Sequence, residues 1–124
     1  MQDHRRLEVY QVARALALDV YALASVMPAS ERFELARQLR RAAVSVGSNI
    51  AEGCGRSSRP DLCHFLGIAL GSAAELEFQL DLCLGAELAD AQRVQPALEN
   101  AKRVQRMLTG LILRVGRSAE RSRS

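Results

Sequence analysis

Leu7, Tyr10, Ala13, Leu16 or Ala17, Val20, and Leu23 or Ala24 recur at steps of three and four residues. That spacing puts them on one face of an α-helix and predicts a first helix over residues 4–26. Met27-Pro28-Ala29-Ser30 breaks it, and Ser30 is placed to cap a second helix with Glu31 in its first turn against the dipole. The second helix runs to about Cys54 on the stripe Leu35, Leu39, Ala42, Val46, Ile50. Gly53-Cys54-Gly55 is expected to end it in a left-handed glycine cap. Ser58 and Asp61, at capping-box spacing around Pro60, open a third helix, whose stripe is Leu62, Leu66, Ala69, Ala73, Leu76, Leu80, Cys83. Asp90 is the expected cap of a fourth, on Val94, Ala97, Ala101, Val104, Leu108, Leu111, Val115. Pro96 should bend or delay its first turn, because proline removes a backbone donor. The pattern is all-α. Four helices of ~23–28 residues joined by short links predict an up-down-up-down antiparallel four-helix bundle over residues 1–117. Residues 118–124, rich in Arg and Ser, are expected to form a disordered basic tail.

The third helix carries a second regular face. Opposite its core stripe lie Gly67, Gly71, Ala74, Phe78 and Leu82, at steps of four, three, four and four. Small residues in a row let another backbone come close, and Phe78 and Leu82 are large enough to anchor a contact. Such a face is the expected oligomer interface of a protein that works as more than one copy.

Polar residues gather on one side of the second and third helices. Gln38, Arg41, Ser45, Asn49 and Glu52 lie about 100° from the core stripe of the second helix, and Ser72, Glu75 and Gln79 take the matching side of the third. In an antiparallel pair this register brings Arg41 near Glu75 and Ser45 near Ser72, a structural seam that fixes how two otherwise aliphatic helices align. The competing use of the same residues is a small hydrolase or ligand site in which Glu52 and Glu75 divide acid and base roles. No side chain here is an activated nucleophile, so no enzyme is expected. Neither His4 nor His64 has a companion at metal-ligand spacing, the Glu-x-x-His of bundle di-metal sites does not occur, and no cofactor is expected.

Composition narrows the class further. Of 124 residues, 48% are apolar but only 4% aromatic, so packing runs through Leu, Ala and Val, as suits helices. The three cysteines, 54, 63 and 83, have neither disulfide parity nor CxxC spacing, and point to the cytoplasm. No run approaches the ~18 apolar residues of a membrane span. The net charge of +3 hides a segregation: residues 61–90 hold six acids and no Lys or Arg, while residues 91–124 hold eight bases and two Glu. Arg37 and Arg40, with Lys102, Arg103 and Arg106, are the candidate contacts to nucleic acid. Such binding would be weak, non-specific and carried by an assembly that repeats them, since no aromatic residue is interleaved for stacking.

Three stretches carry a family resemblance. The motif Ser45-x-x-x-Asn49-Ile50-x-Glu52-Gly53, its partner Gly71-Ser72-x-x-Glu75, and Met107-Leu108-Thr109-Gly110-Leu111-Ile112 resemble a bacterial family of four-helix-bundle proteins. These were first noted as reading frames in intervening sequences of 23S ribosomal RNA genes and were once mislabelled as a ribosomal protein. The match spans residues 7–115. It is also similar to the accessory variability determinant of diversity-generating retroelements, a basic pentamer that binds nucleic acid and a reverse transcriptase. The resemblance implies a cytosolic bundle assembled as a ring of five. The chain departs from the family in having Cys54 where an aromatic residue is common, and in its acidic third helix.

Overall fold

The structure, a computed structural model, describes residues 4, 7–32 and 34–123, with the side chains of all of these except 31, 32 and 118–123. Five helical segments follow one another: α1 (Glu8–Ser25), α2 (Ala29–Arg32), α3 (Leu35–Cys54), α4 (Arg59–Gly85) and α5 (Ala91–Arg123). The four long ones form the bundle, and α2 is a single turn leading into α3. Helix α3 packs on α1 and α4, and α5 on α4 and α1, so α1, α3, α4 and α5 stand at the corners of a square in chain order. Short links between neighbours make each adjacent pair antiparallel.

The expected stripes of α3 and α4 are buried without exception, from Leu35 to Ile50 and from Leu62 to Cys83. Leu16, Val20 and Leu23 of α1 and Val94, Val104 and Leu108 of α5 complete the core, while Leu111 and Val115 are half-buried where the bundle ends. On α1 the buried face is wider than predicted, taking in Val9 and Val12.

The helix ends divide. Ser58 accepts from the backbone N–H of Asp61 at 3.2 Å and caps α4, with proline in the first turn. Asp90 accepts from the N–H of Gln92 at 3.0 Å and caps α5. Ser30 does not cap: the turn begins one residue earlier at Ala29, and α3 starts separately at Leu35 without a side-chain cap. Helix α5 is continuous past Pro96, which stands on the exposed side, so the carbonyl that loses its donor is left to solvent. Its backbone stays helical to Arg123, past the boundary that composition draws at residue 117. Ser124 lies outside the described residues.

Glycine plays a different part from the one expected. Gly53 lies inside α3, and Gly55 follows it at φ −82°, so the end of α3 uses no left-handed residue. What Gly53 provides is room: a Cβ there would sit 3.0 Å from the Cβ of Phe65 and 3.3 Å from the carbonyl oxygen of Leu62. The left-handed residue is instead Glu87, at φ 54°, just past α4. There the N–H of Leu88 reaches the carbonyl of Cys83 at 2.9 Å and that of Glu87 the carbonyl of Leu84 at 3.3 Å, the paired bonds of a Schellman ending. Leu88 packs on the core beside it.

The contrast between two helical glycines is testable. A methyl added at Gly47 would meet nothing within 4 Å, so Gly47→Ala should stabilise the fold by about 0.5–1 kcal/mol. Gly53→Ala should instead cost about 1–3 kcal/mol, because α4 must move away. Urea unfolding of the two variants beside the parent measures both.

Candidate functional site

The seam between α3 and α4 forms around its two serines. The hydroxyls of Ser45 and Ser72 share a 2.8 Å hydrogen bond in which either can donate. The Asn49 side-chain amide donates to the carbonyl of Ser45 at 2.8 Å and to its Oγ at 3.1 Å, so three seam residues join in one partly buried chain. Further along α4, one and two turns beyond Ser72, Glu75 accepts from the amide of Gln79 at 3.1 Å. Gln79 is the one buried polar side chain among the described residues, and its Oε1 has no partner there.

Arg41 and Glu52 do not join. Arg41 is exposed and makes no ion pair with Glu75. Four residues before Ser45, α3 has turned about 40° further from the core, which carries the guanidinium towards solvent. Glu75 meanwhile finds its donor on its own helix. Glu52 pairs with Arg56 at 2.6 Å, and Arg56 lies over the ring of Phe65, 4.7 Å from its centroid, at the α3–α4 turn. Glu75 is ten residues from Phe65 along α4, about 15 Å of helix. The two carboxylates considered for acid–base work therefore face different surroundings at different levels of the bundle. Among the described residues no three His, Cys, Asp or Glu side chains are grouped to hold a metal, and no helix is long and apolar enough to cross a membrane.

The second face of α4 points outward as one stripe. Gly67, Gly71, Ala74, Phe78 and Leu82 are all exposed, Phe78 at 66% and Leu82 at 45%. Acids flank it, with Glu75 on the α3 side and Glu77 and Asp81 on the α5 side. Glu77 accepts from Gln105 of α5 at 2.6 Å. A groove of about 420 Å³ runs between Phe78 and Asp81 on one wall and Leu98 and Lys102 on the other.

The basic candidates fall into two groups. Arg37 and Arg40 are on α3, whereas Lys102, Arg103 and Arg106 are on α5 at the diagonal corner, so one copy does not combine them into a patch. Arg103 is held by Glu8 of α1 at 2.9 Å, and Lys102 lies 3.9 Å from Glu99. Arg106 lines a second groove, of about 270 Å³, between α5 and the start of α1. Arg114, absent from the candidates that periodicity and charge suggest, lines it too. A signal for it exists: Arg103, Arg106, Gly110, Arg114 and Arg117 fall within about 80° of arc at helical spacing.

A pair of double-mutant cycles separates the bonded seam from the unbonded one. Ser45→Ala with Ser72→Ala should show coupling of about 0.5–1.5 kcal/mol, the worth of one hydrogen bond. Arg41→Ala with Glu75→Ala should be additive to within about 0.5 kcal/mol.

Comparison with known proteins agrees with this architecture. Residues 5–110 match the model of the family described as 23S rRNA-intervening sequence protein. A solved structure from Bacteroides thetaiotaomicron, a protein with unknown function from the S23 ribosomal protein family, is 25% identical and superposes with a TM-score of 0.78. The alignment covers 84% of this chain and 97% of that one. No curated protein matches the chain. The seam motif, the four-helix architecture and a family match over most of the sequence lead to one conclusion: the chain belongs to the 23S rRNA-intervening sequence protein family.

Proposed function

We propose that this protein is a non-enzymatic, self-associating helical module that serves as an interaction or scaffold protein. The observation that carries the reading is the outward stripe of α4, where Phe78 and Leu82 stand exposed beside Gly67, Gly71 and Ala74. A helix with apolar residues on opposite faces is suited to burial on both sides, and a single bundle covers only one of them. The family resemblance adds the number, a ring of five. A cytoplasmic location goes with it, supported by three cysteines that form no disulfide.

Light scattering on the full chain tests the assembly. A mass several times 13.6 kDa at micromolar concentration is expected, and Phe78→Glu should return the monomer with its helical circular dichroism intact. A parent protein that already runs as a monomer would end the reading.

Within such a ring, the repeated Arg37, Arg40, Lys102, Arg103 and Arg106 would give a weak, sequence-independent hold on nucleic acid. Retention of RNA or DNA on a filter should then be measurable at ~50 mM salt and lost by ~200 mM, with little difference between sequences. No retention at the lower salt would leave a protein partner as the better account.

A further inference from the structure

We infer which surface receives the ridge: the acidic, apolar face of α4 in one copy seats in the basic groove between α1 and α5 of the next. This rests on the self-association reading above and names the surface that receives the ridge.

The charges on α4 argue against the simplest alternative. Ridge on ridge about a two-fold axis would set Glu75, Glu77 and Asp81 against their own copies, three acids with Lys102 of the α4–α5 groove as the one base beside them among the described residues. Like charges placed across an interface are unfavourable, so the ridge needs a different surface, and a basic one. A contact between two different patches leaves each copy with one ridge and one groove free to continue, which closes a ring or extends a filament.

The α1–α5 groove has the complementary chemistry. Arg106 and Arg114 line it, and neither has an ion-pair partner among the described residues. Glu8, the one acid among the described residues that line the groove, is already bound to Arg103. Leu7, Met107 and Leu111, all half-buried, supply an apolar floor. Gly110 lies between the two arginines, and the guanidinium of Arg114 folds to within 3.5 Å of where a Cβ would stand. The groove is thus concave, apolar at the base and positive at the rim. The ridge is convex, apolar at Phe78 and negative at its flanks. A second basic surface, Arg37 and Arg41 around the exposed Val44 of α3, lies on the outside of a single helix. Nucleic acid fits the groove less well, because its floor is aliphatic and none of the described residues lining it is aromatic for a base to stack on. With Arg106 taken up in the contact between copies, Arg37, Arg40, Lys102 and Arg103 are the candidate bases left for nucleic acid.

Complementation between two defective variants decides the matter. Phe78→Glu removes the ridge and keeps the groove, and Arg106→Glu with Arg114→Glu removes the groove and keeps the ridge. Each alone should be monomeric with unchanged helical circular dichroism. Mixed, they should form a 1:1 complex of twice the 13.6 kDa chain and nothing larger, since only one competent ridge and one competent groove can meet. Arg106→Lys with Arg114→Lys keeps the charge and should keep the parent assembly. Arg37→Glu with Arg41→Glu should leave it intact too. If the parent is a monomer, both this inference and the self-association reading fail. If the parent assembles and the groove variant still assembles to the same size, self-association stands and the groove is not the seat. That same variant losing RNA retention while staying assembled would give the groove to nucleic acid. No complex on mixing two folded monomers would overturn the head-to-tail arrangement, because an intact ridge and an intact groove would then have failed to bind each other.

Discussion

Helices α3 and α4 come close enough for one serine hydroxyl to reach another, and the rest of the architecture follows from that approach. A serine side chain is too short to bridge two helices held apart by leucines. The 2.8 Å bond between Ser45 and Ser72 therefore requires small neighbours, which Ala42, Ala69, Ala73 and Gly53 provide. At Gly53 the fit is already at its limit. The close approach stabilises through dispersion contacts between well-packed backbones, and the hydroxyl pair satisfies polar groups that would otherwise be buried at a cost. It also fixes the rotation of α4 about its own axis. With Ser72 turned to α3, Leu62 to Cys83 must face the core, and Gly67 to Leu82 must face away.

Sequence periodicity made the core legible because burial there is decided by one repeated choice, apolar or polar, every three or four residues. All of the α3 and α4 stripe obeyed it. The Ser45–Ser72 bond was equally legible, since both side chains are short and their positions follow the backbone. Arg41 and Glu75 were not. Their side chains are long and flexible, and the small angle that separates a seam position from a solvent position moves a guanidinium by several ångströms. Their competing partners, water for one and Gln79 for the other, do not appear in a pairwise register. Gly53 illustrates a different limit. Its place after a helical stripe suggested a chain reversal, whereas its role is to let Phe65 and Leu62 of the next helix approach, a demand set by residues on another element. Glu87 took the left-handed position that glycine usually fills, because the two Schellman bonds and the docking of Leu88 hold it there.

The two faces of α4 explain why charge in this sequence is segregated and not mixed. A helix buried on one side only can carry bases and acids together on the other, where water screens them. The outward side of α4 carries acids alone around its apolar ridge, and α5 carries the matching excess of arginine on its far side. Within one copy they are only partly neutralised by each other: Lys102 stands across the α4–α5 groove from Asp81, but Asp81 and Arg106 lie in different grooves, on opposite flanks of α5. An excess of opposite charge on two separate surfaces would steer identical molecules into the head-to-tail order we infer, because only one mutual orientation brings both signs together.

Energetics sets how much the receiving surface must contribute. Burying Phe78 and Leu82 fully would supply about 1.5–3 kcal/mol each. Association forfeits translational and rotational freedom worth about 4–15 kcal/mol or more. Two side chains seated on a flat or polar surface therefore fall near or below the threshold for a stable complex. The margin has to come from apolar area on the other side, and from a backbone approach that only small residues allow. Leu7, Met107 and Leu111 offer the first, and Gly67, Gly71 and Ala74 the second. The arginines at the rim then act mainly on rate and register, which is why reversing them should abolish assembly while exchanging them for lysine should not.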